Sequence, residues 1–318
     1  MIYSVLCIKE YGDVDHDVAH LYEHLYLRRL YLELETAGIP QYIACNINGS
    51  TYHTNLITLE IESYSSSTAD FFEKLLKQKE TPFSKSELLI GLKEIQHEAL
   101  HGTIHDLESV ETAVNELAKL EWKRVEDLDF TYYTAPSDAK VSERQLLTFD
   151  DKPLALKAFR IDITLPQKAY GEDLRFYAVY ALLSIFIRNA LWYRFLTRHA
   201  IYPHGDNDET AVIFKRHMRT RVVLAVPKSL NIEEAENEVD ATLSYLRSSE
   251  VLKLIREQAL AHAASADWQR RYGLEYFTYQ NFLIGQKGVA KIFTHESICT
   301  VLDKLEYSVR ATEADSTK

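Results

Sequence analysis

Short runs of alternating apolar and polar residues give way to longer helical stretches along this chain, and the order then repeats. Residues 2–9 (IYSVLCIK) predict a strand with Val5, Leu6 and Ile8 apolar, broken by Tyr11-Gly12-Asp13. Residues 17–35 are strong helix formers. Asp15 or Asp17 can cap their N-terminus, and Gly38 and Pro40 end them. Leu and Tyr occur nearly all round this helix, which predicts that it is largely buried. Residues 41–47 and 51–62 read as two strands, with Asn48-Gly49 as the hairpin turn between them. A Ser-rich stretch over 63–68 leads into a helix over 69–79, and Thr81-Pro82-Phe83 makes a turn. Ser84 or Ser86 then starts a helix reaching at least Leu100, and helical character resumes over 107–121.

Residues 131–153 are polar and without sustained period, which marks a linker. Beyond it the opening pattern returns. Residues 157–165 predict a strand, Tyr170-Gly171-Glu172 breaks it, and an apolar helix runs from Leu174 to Leu196. Strands near 211–215 and 220–226 follow, then helices over 232–248 and 250–265. Setting Tyr11-Gly12 on Tyr170-Gly171 gives an offset of 159 residues and an internal duplication by order of elements.

With 318 residues there is room for one large domain or two smaller ones. Hydrophobic residues at 46% and charged residues at 26% indicate a soluble globular chain, and no apolar run is expected to reach the roughly 18 residues of a membrane span. The net charge of -11 argues against a nucleic-acid-binding face. Cys7, Cys45 and Cys299 are too few and too scattered for a disulfide framework or a thiolate zinc site. The N-terminal segment turns acidic and lacks the basic start of a signal peptide, so a cytoplasmic address is expected.

The candidate chemistry lies on the first long helix, in His20-Leu21-Tyr22-Glu23-His24. Residues four apart on a helix share a face, so both imidazoles can reach one metal ion, with Glu23 beside them. Zinc takes imidazole readily and keeps a position for water in catalytic sites, and a neighbouring carboxylate can accept that water's proton. By composition an H-x-x-E-H arises by chance in roughly a few per cent of such chains. Two histidines leave zinc one protein ligand short. The helix after Pro82 offers Glu87, Glu94 and Glu98, with His97 and His101 nearby; Glu87 and Glu94 are two turns apart on one face.

The segment GDVDHDVAHLYEHLYL resembles the pitrilysin/insulinase family of inverted-motif zinc peptidases. The resemblance implies that His20 and His24 bind one Zn2+ per chain and that Glu23 is the general base. The segment PFSKSELLIGLKEIQHE resembles the family's later helix, which makes Glu94 the third ligand, Glu87 an auxiliary catalytic carboxylate and Glu98 the fallback ligand. The hairpin over 41–62 resembles the family's edge-strand region, where substrate adds as a strand; Ala44, Cys45 and Asn46 are its candidate contacts. RFLTRHAIY resembles the place where the second half holds substrate, giving Arg198 and Tyr202. The implied fold is α+β: two homologous halves arranged as a clamp, each a mainly antiparallel sheet with helices on one face. Residues 1–135 would carry zinc, 136–154 link, and 155–318 form a half without metal, since Val179, Leu182 and Leu183 stand at the offset positions of His20, Glu23 and His24.

The expected function is a zinc endopeptidase acting on peptides or short unfolded segments. The alternative is a catalytically silent relative serving as a peptide-binding or partner subunit. Expected partners are a peptide substrate and a second copy or a related subunit, with neither nucleic acid nor membrane.

Overall fold

The protein is described by a computed structural model over residues 2–41, 43–97, 101–127, 146–150, 157–166, 174–199, 202–203, 209–213, 217–226, 228–263, 276–279 and 282–313. It is an α+β chain of two compact units. One comprises Tyr3–Gln41 and Cys45–Leu154, the other Met1–Ile2, Tyr42–Ala44 and Ala155–Lys318.

The first unit is built on an antiparallel sheet of strands β1 (Tyr3–Glu10), β2 (Cys45–Tyr52), β3 (Leu56–Ser63) and β5 (Lys123–Arg124), in the order β2-β3-β1-β5. Its helices are α1 (His16–Thr36), α2 (Ser66–Leu75), α3 (Lys85–His97) and α4 (Leu107–Leu117), and β4 (His101–Ile104) pairs with β6 (Leu147–Asp150). Register aligns Cys7 with Leu59 and Gly49, and Lys9 with Ile57 and Thr51. Period-two alternation therefore puts Cys45, Ile47, Gly49 and Thr51 of β2 on the inner face, with Ile57, Leu59 and Ile61 of β3. That face packs with Leu21, Tyr22 and Leu25 of α1 in one core.

Two differences from the sequence reading have physical causes. Asn48-Gly49 is not the hairpin turn: β2 continues through it, and the chain reverses at residues 53–55, where Asn55 takes φ 61°. Glycine is required at 49 by a close approach, described below. The polar stretch assigned to the linker contains β6, whose pairing with the distant β4 no local periodicity reveals.

Lys9 is fully buried on β1. Its ammonium donates to Tyr22 Oη, to Glu80 Oε1 at 2.7 Å and to the Leu117 carbonyl at 3.0 Å, and lies over the rings of Tyr22 and Trp122. Burial pulls its pKa down, against the opposing pull of Glu80. This network ties the sheet, α1 and the segment entering α3 to one another.

The second unit's sheet runs β13-β7-β10-β8 with β9 also on β10, from β7 (Lys157–Thr164), β8 (Tyr202–Pro203), β9 (Glu209–Ile213), β10 (His217–Val226) and β13 (Glu306–Glu313). Its helices are α5 (Leu174–His199), α6 (Ile232–Leu246), α7 (Ser249–Ala263), α8 (Gln286–Ile292) and α9 (His295–Leu302), and β11 (Tyr276–Tyr279) pairs with β12 (Phe282–Gly285). Phe159, Ile161 and Ile163 of β7 share a core with α5, whose Tyr180 hydroxyl donates to the Ile163 carbonyl at 2.8 Å. By length and composition alone Arg175–Phe195 could cross a membrane, yet 67% of its most apolar stretch is buried within the fold.

Candidate metal and hydrolytic site

Helix α1 begins at an N-cap, Asp15, whose Oδ1 accepts from the Asp17 amide at 3.0 Å. Its apolar side buries Val18, Leu21, Tyr22 and Leu25. The side left half-buried carries His16, His20, His24 and Arg28 at four-residue intervals, one ridge of the helix surface.

The Nε2 atoms of His20 and His24 lie 3.2 Å apart, with ring planes at 72°. Two nitrogens on one tetrahedral zinc at bonds of roughly 2.0–2.1 Å would be about 3.3 Å apart. The imidazole pair therefore fits two corners of such an ion. Without an ion, at most one proton sits between the two nitrogens, since one must accept.

Glu23 is buried, at 7% exposure, and its Oε2 accepts from the Thr51 hydroxyl at 2.6 Å. A Cβ placed on Gly49 would stand 2.6 Å from Glu23 Oε1. The inner face of β2 thus changes from Cys45 and Ile47 to Gly49 and Thr51 where the carboxylate lands: one residue makes room and the next supplies a donor. Sequence reasoning missed both. The available signal was an interruption of the alternating apolar positions after Ile47.

Helix α3 starts with a capping box, in which Ser84 Oγ accepts from the Glu87 amide at 3.3 Å and Glu87 Oε2 from the Ser84 amide at 2.8 Å. Arg29 Nε donates to Glu87 Oε1 at 2.9 Å, its other nitrogens hold the carbonyls of Thr81 and Pro82, and its guanidinium lies 3.6 Å above the Phe83 ring. Burial of the Glu87 carboxyl opposes ionisation, but the Arg29 hydrogen bond and the Ser84 donors outweigh it and hold its pKa down to about 2. Glu87, expected as an auxiliary catalytic group, is here the anchor of this helix start. One turn on, Gly91 lets the helices close up: a Cβ there would meet Leu25 Cδ2 at 2.7 Å.

Glu94, one turn past Gly91, is thereby carried to α1, where Arg28 Nη1 donates to its Oε1. Among the described residues, no group of three or more His, Cys, Asp or Glu side chains is gathered closely enough to hold a metal ion. The two imidazoles are paired, Glu23 lies against Thr51 and Gly49, and the expected third ligand sits in an ion pair. Glu98 and the side chains of His97 and His101 lie outside the described residues.

Beside the pair, the His16 and His53 rings stack at 3.8 Å. The Tyr11 hydroxyl donates to the Tyr52 carbonyl at 2.8 Å and lies 3.0 Å from His16 Nδ1, so that nitrogen carries the proton it shares with Tyr11. Burial and the neighbouring Asp15 push the Asp17 carboxyl up to about 6, opposed by His53.

The remaining predicted residues lie on other elements. Cys45 and Asn46 open β2, an edge strand of its sheet; the Cys45 side chain is in the core, and burial pushes its thiol up to about 12. Ala44 is buried and belongs to the second unit. Arg198 is exposed, with Nε 3.8 Å from Glu238 Oε2, a carboxylate that Arg194 and His199 also engage. Tyr202 pairs through its backbone with Ala225, and its side chain lies outside the described residues.

No protein-family model matches the chain, and no curated protein matches it by sequence. Solved structures similar to it include the first half of the periplasmic protease PqqL from Escherichia coli, at 10% identity and TM-score 0.32, covering 96% of this chain and 86% of that one. An M16-like peptidase from Alicyclobacillus acidocaldarius shares 10% identity at TM-score 0.31, over 97% of this chain and 92% of that one. A peptidase M16 inactive domain from Pseudomonas fluorescens shares 8% identity at TM-score 0.26, over 97% and 92%. Likenesses this distant assign no activity.

Proposed function

We propose that the chain is a zinc-dependent endopeptidase acting on peptides or short unfolded segments. The observation that carries this reading is the His20–His24 pair, whose nitrogens lie 3.2 Å apart, a separation that suits two corners of one zinc ion. Bound between the imidazoles, zinc would polarise a scissile carbonyl and ease deprotonation of the attacking water. Glu23 takes that water's proton and passes it to the leaving amine, and Thr51 holds the carboxylate in place meanwhile. Glu94, once released from Arg28, would be the third residue to hold the ion. The edge strand β2 offers its backbone to an extended substrate, which gives affinity with little demand on sequence.

The test is cleavage of a diverse peptide library by the zinc-loaded chain and by Glu23→Gln. The wild type cleaves; Glu23→Gln retains zinc and loses at least about 1,000-fold in kcat, the scale on which removing a catalytic base acts. Undiminished cleavage by Glu23→Gln would remove Glu23 from the mechanism. A second reading, a silent peptide-binding relative, is favoured by one observation: the Glu94 carboxylate is engaged by Arg28. Stoichiometric zinc with no turnover of any peptide would select it.

A further inference from the structure

The face of the second unit's sheet turned away from its core carries a group of arginines. Phe159, Ile161 and Ile163 of β7 lie in that core with Val222 and Leu224 of β10 and Val309 of β13. Alternation therefore sends Arg160 and Asp162, Arg219 and Arg221, and Ser308 and Arg310 to the opposite face. There the Asp162 carboxylate accepts from Arg160 Nε and from Arg221 Nε, each at 2.9 Å, and Arg219 Nε lies 3.9 Å from it. We propose that this face, centred on Arg160 and Arg310, is a docking surface for an acidic peptide segment.

The register sets Arg310 directly opposite Arg160. Side chains so placed have Cβ atoms about 5 Å apart, and like charges there destabilise a sheet. On the other flank of β7 the charges match, because Asp162 stands directly opposite Arg221. Arg160 gives only its Nε to Asp162, and among the described residues Arg310 makes no hydrogen bond or ion pair. The Asp162 side chain is 12% exposed against 33% for Arg160, so the carboxylate lies beneath the guanidinia and orients them. That leaves the Nη edge of Arg160 and the whole fork of the exposed Arg310 to an outside acceptor, and guanidinium forks match carboxylates in geometry. Glu306, on the same face of β13, is four residues from Arg310, roughly 13 Å along the strand. Glu209 of β9 lies three strands across the sheet from it, with its side chain outside the described residues. The surface is an open sheet face, which carboxylates spaced along an extended segment can reach together. The chain as a whole carries -11, so an acidic segment is repelled elsewhere and steered here. The surface needs no metal and stands apart from the zinc reading of α1.

Docking is measured by fluorescence anisotropy on the metal-free full chain, with a labelled Gly-Ser peptide bearing several glutamates and with its glutamine counterpart. The variants are Arg160→Gln, Arg310→Gln and the double, with circular dichroism checking that each folds. Lys253→Gln/Lys287→Gln removes the same charge from exposed positions of the same unit and serves as the control. Arg310→Gln, which breaks no ion pair, decides the matter if Arg160→Gln does not fold. The glutamate peptide should bind the wild type, and the glutamine peptide should not. Each single variant should weaken binding by roughly threefold and the double by roughly tenfold, with the lysine control within about twofold of wild type. No binding of the glutamate peptide, a double variant equal to wild type, or a control that falls as far would each overturn the docking surface. Displacement by inorganic phosphate as effective as by unlabelled peptide would mean a small-anion contact and overturn peptide docking. Self-association of the wild type that Arg310→Gln abolishes, without peptide binding, would give the face to a second copy instead. Because the readout is binding without metal, failure here leaves the zinc reading standing, and failure of the zinc reading leaves this surface standing.

Discussion

Helices α1 and α5 are two solutions to one architectural position. Each is a long helix packed on the sheet of its own unit, and at the offset of 159 residues His20, Glu23 and His24 of α1 correspond to Val179, Leu182 and Leu183 of α5. In α5 all three are buried within the hydrophobic core. Under α1 the sheet is cut back to Gly49 and supplied with the Thr51 hydroxyl, while Lys9, Tyr22 and Glu80 form a polar network inside the same unit. Polar groups on a packed helix need a matching sheet; apolar ones need only volume. The difference also shows why a polar face survives on α1: it is held by partners built for it, at positions far away in sequence.

The largest effect comes from moving the chemistry to the wrong helix. Leu183→His places an imidazole in a site with no exposure and should destabilise the second unit by about 4 kcal/mol, measured by urea denaturation. A loss under about 1 kcal/mol would mean that α5 tolerates polarity as α1 does. Next comes the groove under Glu23. Gly49→Ala puts a methyl 2.6 Å from Oε1, so the carboxylate must shift from its position against Thr51. We expect kcat/KM on a cleaved peptide to fall by about 100-fold, as displacement of a catalytic group by about 1 Å can produce, while stability falls by only about 1 kcal/mol. A variant with wild-type kinetics would show that the Gly49 contact does not position the base.

How far the sequence anticipates this arrangement depends on the range of the forces involved. The strand at Tyr3–Glu10, the helix at His16–Thr36 and the inward row of β3 follow local periodicity and were legible. So were His20 and His24 as neighbours, because helical spacing alone brings them together. Gly49 read as a turn residue because Asn-Gly is a strong local signal, and only a side chain from α1 overrides it. The β4–β6 pair and the Lys9 network were hidden for the same reason: their partners are tens of residues away. Glu94 was found as a candidate by its face on α3, but its engagement by Arg28 depends on how closely Gly91 lets two helices approach.

The most direct measurement transplants the apolar solution onto α1. His20→Val/His24→Leu carries the side chains found at Val179 and Leu183, and zinc per chain is determined for it and for the wild type after equilibration with equimolar metal. The wild type should hold about one zinc, as one imidazole-bearing site allows, and the double variant should stay folded and hold less than about a tenth. Equal zinc in the two proteins would contradict the assignment of this helix face to the metal.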